Sequence, residues 1–229
     1  MPLRAIKSVG VELEGGYCRD CIEPLLDQYR DRLHIEEDED GSVEVGEVTC
    51  SRHVRTIHDG VNEDYDDRDC IEEDGEIRAW VEVEHLPLLF RFVEKLFRSG
   101  KFIQNDSCGN HIHLKFRRDG AWKVFGQEIT WDEFKRQYEY AFRTSKYRAR
   151  LNEHYCDGDW EEWMPDLTDL DTNRSSDWDY RYKMINLRSM PVNGTIEVRV
   201  LPYFESATEA IRSYETMLNI VDNIVETRT

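Results

Sequence analysis

Four short patterns in this chain set polar groups of chemical use two residues apart: Glu12-Leu13-Glu14, His111-Ile112-His113, Glu197-Val198-Arg199 and Asn186-Leu187-Arg188. In an extended strand, residues i and i+2 point the same way, so each pattern offers its polar pair on one face. The opposite faces carry Val11 and Leu13, then Ile112, Leu114 and Phe116, then Ile196, Val198 and Val200, then Ile185 and Leu187. A half-exposed antiparallel sheet explains polar residues on any one strand. A plain wet face, however, runs to Thr, Ser, Lys and Gln. Here the strands offer carboxylates, imidazoles and guanidinium groups, a set able to hold a divalent cation together with a polyphosphate. Carboxylates favour Mg²⁺ or Mn²⁺, and one imidazole suits Mn²⁺ or a hydrogen bond to phosphate. Arginine suits bidentate phosphate contact. The same groups serve a metal-dependent hydrolase of amides or phosphoesters, and alternation does not separate the two chemistries.

Other motifs narrow the field. There is no G-x-x-x-x-G-K loop, so phosphate handling falls to side chains and metal, and no nucleophile-elbow sequence supports Ser/His/Asp catalysis. Cys18-Arg-Asp-Cys21 and Cys50-Ser-Arg-His53 have the spacing of a structural zinc knuckle. Coincidental pairs are common in a chain with 6 cysteines and 7 histidines, so that site is a secondary expectation.

The elements that must position these groups are legible. "AIKSVGVELEG" alternates as a strand, and Pro24 suits the first position of a helix through Leu25, Leu26 and Tyr29. Two extended segments flank an Asp40-Gly41 turn. "EIRAWVEVEH" is a further strand, with Glu82 and Glu84 on one face. "LPLLFRFVEKLFRSG" has helical spacing and stops at Gly100. "GNHIHLKF" is a strand, Thr130 to Glu133 has capping-box spacing before "FKRQYEYAF", and "YKMINLRS" with "GTIEVRVL" reads as a hairpin. A long helix runs from about Ser206 to Glu226. Adjacent strands with separate helices predict an α+β fold around an antiparallel sheet.

The 229 residues suffice for one sizeable core, and the 39% apolar and 11% aromatic shares are those of a folded chain rather than a disordered one. One domain, residues 1–229, is expected. Acidic excursions interrupt it at about 59–76 and 157–179, and the second, carrying Trp160, Trp163 and Trp178, is expected to pack on another part of the molecule or on a partner. The formal charge of -18 argues against a non-specific nucleic-acid binder, which needs a basic face. No run has the length of a membrane span and the first residues do not read as a signal peptide, so the expected location is the cytoplasm. The cysteines are then expected as reduced thiols.

Five blocks occur in a telling order: "GVELEGG" from Gly10, "DGSVEVGEVTCS" from Asp40, "SCGNHIHL" from Ser107, "LNEHYC" from Leu151 and "RYKMINLRSMPVNGTIEVRVLPYFES" from Arg181. In this the sequence resembles the amidoligase-like proteins of phages and bacteria, distant relatives of glutamine synthetase and glutamate–cysteine ligase. The resemblance implies a sheet whose concave polar face binds ATP with Mg²⁺ or Mn²⁺, with helices on its other face. It implies a carboxylate–amine ligase acting through an acyl phosphate, with an amino acid, peptide or polyamine as substrates. Carried over by position, Glu12, Glu14, Glu47 and Glu197 are metal ligands, with Glu84 as substitute for Glu47. His111 or His113 touches metal or the ATP phosphates, Arg199 holds phosphate, and Arg188 holds phosphate or a substrate carboxylate. No residue that activates the amine is placed. A relative that keeps the fold as a catalytically inactive viral binding or structural protein is the remaining alternative.

Overall fold

Alternation over "IKSVGVELEGGYC" makes β1 (Ile6–Cys18), the strand around which the molecule is built. The computed structural model describes residues 2–39, 43, 45, 72–153, 156–160 and 182–229. Glu47, Cys50, His53, Trp163, Trp178 and the Asp40-Gly41 turn lie outside these described residues, as does most of each acidic excursion.

β1 pairs on one side with β3 (Glu72–Glu82), which continues to β2 (Glu36–Glu39). On its other side it pairs with β5 (Gly109–Phe116), and the sheet continues through β9 (Ile196–Pro202) to β8 (Ile185–Asn186). All these pairings are antiparallel, and a short β4 (Phe102–Ile103) pairs with the far end of β1. The fold is thus mixed α/β with an antiparallel sheet, as alternation predicts.

One face of the sheet is apolar and buried: Val9, Val11, Leu13, Ile77, Val81, Ile112, Leu114, Ile196 and Val198 all belong to the core. Helix α2 (Leu86–Arg98) brings Leu88, Leu89, Phe92, Val93 and Leu96 to that core at 3.6-residue spacing, and the chain turns off at Gly100 with φ 65°. The long α6 (Ala207–Arg228) packs against α2 and against α3 (Glu128–Ala141). Each fully buried Leu or Ile of this layer contributes roughly 1.5–3 kcal/mol. Asp222 of α6 reaches back to the start of β1, where its Oδ1 accepts from the backbone N–H of Arg4, Ala5 and Ile6 at 2.9, 2.8 and 3.1 Å.

Local departures from the expected elements have physical causes. Helix α1 (Arg19–Leu33) starts where β1 stops and contains Pro24 rather than opening on it. In the second turn the proline removes only the N–H that would meet the Asp20 carbonyl. Helix α3 begins at Glu128 without a side-chain cap, so Thr130 is no N-cap; it lies buried, its Oγ1 without a hydrogen-bond partner among the described residues. Entry at Glu128 lets Trp131 bury and donate its indole N–H to the Gly158 carbonyl at 3.0 Å. β3 begins at Glu72, so residues 72–76 are sheet rather than excursion. Asp157 belongs to β7 (Cys156–Asp157), paired with β6 (Asn152–Glu153) after α4 (Ser145–Arg150). Trp160, at the start of the second excursion, packs against the core. The late hairpin forms, with a short helix α5 (Ser189–Asn193) between β8 and β9. No helix among the described residues is long and apolar enough to cross a membrane.

Candidate functional site

The register of the strands decides what meets on the polar face. Glu12 lies opposite Arg78 on β3 and opposite His111 on β5. Glu14 lies opposite Glu76. His113 lies opposite Glu197, which in turn lies opposite Asn186. Period two therefore aligns side chains from separate strands into one cluster, and a one-residue slip would send all of them to the core side.

The contacts are close. His111 Nδ1 is 3.0 Å from Glu12 Oε2 and 3.3 Å from Glu197 Oε1, and His113 Nε2 is 2.8 Å from Glu12 Oε1. Asn186 Nδ2 donates to Glu197 Oε2 at 2.6 Å, and the Arg199 guanidinium pairs with the other Glu197 oxygen. The second ring nitrogen of His113 lies 3.2 Å from Thr195 Oγ1 and 3.4 Å from Ser189 Oγ, which fixes the ring plane. Arg78 donates through Nε to Glu76 at 2.7 Å and through Nη2 to Asp38 at 2.8 Å. Glu14 accepts from the Gly109 N–H. The four glutamates, the two histidines, Arg78, Asn186 and Arg199 line a cavity of about 420 Å³ with Ser107, Arg150 and Tyr182.

Burial sets the electrostatics. Burial alone would push the Glu12 carboxyl up, but hydrogen bonds and charge from His111 and His113 hold it well below the usual carboxylate range. Glu197 is desolvated too, and Arg199 with the two histidines keeps it low. Glu76 is pushed up, first by burial and then by the charge of Glu12, with Arg78 opposing. For His113, burial favours the neutral ring, while Glu12 and Glu197 outweigh it and raise its pKa. Four buried or half-buried carboxylates in one cavity repel one another, and cations relieve that cost.

Two glycines make room for this arrangement. A Cβ on Gly109 would sit 2.2 Å from a guanidinium nitrogen of Arg150, so only glycine lets that buried arginine reach the rim beside Glu14. A Cβ on Gly10 would lie 2.1 Å from the ring of Trp80, its partner on β3.

Metal fits the donor set. Glu12, His113 and Glu197 each offer a ligand atom, all within 4.8 Å of one another. His111 Nε2 is buried and 3.4 Å from Glu14 Oε1 but lacks the alignment of a hydrogen bond, so among the described residues it has no hydrogen-bond partner. A buried imidazole nitrogen left this way suits coordination. Two carboxylates with one imidazole are oxygen and nitrogen donors of the kind that bind a divalent cation such as Mn²⁺ or Zn²⁺.

Of the residues expected from sequence, Glu12, Glu14, His111, His113, Glu197 and Arg199 come together in this cavity. Glu84 does not: it lies exposed in a 3₁₀ turn (Val83–His85) beyond the end of β3. The β3 carboxylate at the site is Glu76. Arg188 also stays apart from the cavity lining, because β8 ends at Asn186 and the alternation assumed through Arg188 stops there; its backbone N–H instead donates to Asn186 Oδ1 at 3.0 Å. Cys18 and Cys21 pack on each other at the β1–α1 junction, while their proposed zinc partners Cys50 and His53 are outside the described residues. Glu76 and Arg78 were within reach of sequence reasoning, since Glu76, Arg78 and Trp80 alternate with Ile77, Ala79 and Val81. Arg150, the last residue of α4 and immediately before the "LNEHYC" block, carried no alternation signal of this kind. Searches against protein-family models, curated proteins and solved structures each gave no significant match.

Proposed function

We propose that this chain is an ATP-dependent carboxylate–amine ligase with a glutamine-synthetase-like sheet, using Mg²⁺ or Mn²⁺. One observation carries the reading: four carboxylates, two imidazoles and three guanidinium groups from β1, β3, β5, β9 and α4 line a single cavity. The ordered sequence blocks shared with amidoligase-like proteins support it.

In this reading Glu12, Glu14 and Glu197 hold the cations, with His113 or His111 completing the set and Glu76 beside them. Bound cations and ATP would supply charge neutralisation and the phosphoryl group that activates a carboxylate. The chain's own contribution is position. Asn186 and Arg199 fix both oxygens of Glu197, and Thr195 with Ser189 fixes the His113 ring. Arg199, paired with Glu197, and Arg78, paired with Glu76 and Asp38, both line the cavity where a phosphate would sit, and bidentate guanidinium contact is a strong form of phosphate recognition. Arg150, against Gly109, is the group suited to a substrate carboxylate at the opposite rim.

The test is ADP release by purified protein with ATP, Mg²⁺ and panels of amino acids, peptides and polyamines. Release should require metal, an acid and an amine together, and Glu197→Ala should abolish it. Unchanged ADP release in Glu197→Ala would overturn the site assignment. The compact Glu12–His113–Glu197 group favours a second reading, a metal-dependent amide or phosphoester hydrolase. That enzyme would turn over without ATP. Absence of ATP–Mg²⁺ binding by calorimetry, with no hydrolysis, would leave an inactive binding or structural protein.

A further inference from the structure

A second cavity, of about 490 Å³, lies beside the first and shares Glu12, Arg78, His113 and Asn193 with it. That volume is in the range of small-molecule sites. The rest of its wall comes mainly from His34, Glu36 and Trp80 around Gly10.

Strand register builds this wall. Gly10 lies opposite Trp80 on β3 and opposite His113 on β5, so the three form one row across the polar face. A Cβ at Gly10 would meet the Trp80 ring at 2.1 Å and the His113 Cβ at 3.2 Å. The indole therefore takes the place of the missing side chain, and it stays only half-buried there. Glu36 lies opposite Arg78, which lies opposite Glu12, so Glu36 belongs to the same face on the outer strand. His34 ends α1 with φ 46° and ψ 58°, a left-handed conformation uncommon outside glycine, and this bend brings it to the cavity. Backbone held in a sparsely populated region is found most often at ligand sites.

Charge narrows the ligand. Arg78 is engaged by Glu76 and Asp38, and Glu12 by His111 and His113. The side chains of His34, Glu36 and Trp80, in contrast, have no hydrogen bond, ion pair or ring contact among the described residues. The cavity thus offers an uncommitted carboxylate beside an aromatic ring. That pair recognises an organic cation, because the ring face attracts an ammonium and covers an apolar body. A carboxylate ligand would find no uncommitted guanidinium there. A purine could stack on Trp80 but would leave Glu36 without a partner.

We infer that this second cavity binds a primary amine with an apolar or aromatic body, held by Trp80 and Glu36. Its role as the amine substrate rests on the ligase reading. The acid, nucleotide and cations then occupy the first cavity, and the two chambers meet at the Glu12–His113 wall.

Calorimetry on the full chain tests the site, with phenethylamine as the probe. Wild type should bind phenethylamine about tenfold more tightly than ethylamine, which lacks the body, and than 3-phenylpropionate, which reverses the charge. Trp80→Ala should lose the preference over ethylamine, and Trp80→Phe should keep most of it. Glu36→Gln, a change at an exposed position, should lose the preference over 3-phenylpropionate. Equal binding of phenethylamine and ethylamine by wild type would overturn the inference, as would a preference that persists in Trp80→Ala. So would adenosine binding to wild type that Trp80→Ala removes. Failure of the ligase reading looks different: phenethylamine binds as described, yet no acid and amine together release ADP. Conversely, ADP release that responds equally to both amines, in wild type and in Trp80→Ala, would keep the ligase and end the amine site.

Discussion

The two faces of the central sheet share one backbone and obey opposite rules. On one face, Leu13, Ile112, Leu114 and Val198 fit a closed packing in which every contact lowers the free energy. On the other, a single residue out of phase, Glu12, Glu14 and Glu197 concentrate like charges, and His111 and His113 both set a ring nitrogen against Glu12. The apolar face stabilises the fold by itself. The polar face crowds four carboxylates whose mutual repulsion is offset by His111, His113, Arg78 and Arg199, a mix of opposing terms expected where stability is traded for function.

Four experiments break or sharpen this contrast, in falling order of expected effect. Glu12→Ala should cut metal-dependent ADP release by roughly 1,000-fold, about 4 kcal/mol of transition-state stabilisation. The same variant without metal should unfold below the wild-type temperature, because His111 and His113 lose the carboxylate that their hydrogen bonds and charge hold ionised. An unchanged Tm would show that repulsion from the neighbouring carboxylates cancels that gain. Leu114→Ala, next to His113 but on the core side of β5, should lose about 3 kcal/mol of stability by chemical denaturation. Its activity at low temperature should survive. Third, Mn²⁺ at about 100 times its Kd should stabilise wild type by about 2.7 kcal/mol. Calorimetric scans should show that increment in Leu114→Ala and not in Glu12→Ala.

The smallest effect is a control far from the site. Glu209, near the start of α6, accepts from Lys146 and the Tyr147 hydroxyl at 2.8 and 3.0 Å and from the Glu205 N–H at 2.8 Å. Burial would raise its carboxyl, but Lys146, the Glu205 N–H and Tyr147 outweigh that and hold it low. A carboxyl lowered in the fold adds stability that is fully present above its unfolded pKa of about 4.3. That stability is lost as pH falls through the lower folded value. Glu209→Gln should therefore cost about 1 kcal/mol at pH 7, with the gap to wild type closing in acid below the unfolded pKa. A gap independent of pH would assign the loss to packing.

Alternation explains how much could be read before the structure. β5 was legible over "GNHIHLKF" because its apolar and polar residues alternate without interruption. The partners of Glu12 were only half legible. His111 and Glu197 sit in clean period-two strands, but Glu76 sits where acidic residues crowd and the strand looks like the end of a loop. Arg188 failed for the converse reason: the pattern continued past the two paired residues of β8, and the chain turned into α5 instead. Pairing register, which sets Glu12 between Arg78 and His111, is a long-range property that no local window contains.

The bond between Asp222 and the N–H groups of Arg4, Ala5 and Ile6 gives this molecule a timetable. Those partners lie up to 218 positions apart, and β9 with Glu197 reaches the sheet only after most of the chain has been made. During synthesis, β1 therefore leaves the ribosome early with its glutamates exposed and must wait for α6 to anchor its first residues. Contacts of such separation slow folding. Metal added to a nascent chain that stops short of β9 would find the glutamates of β1 but not the site.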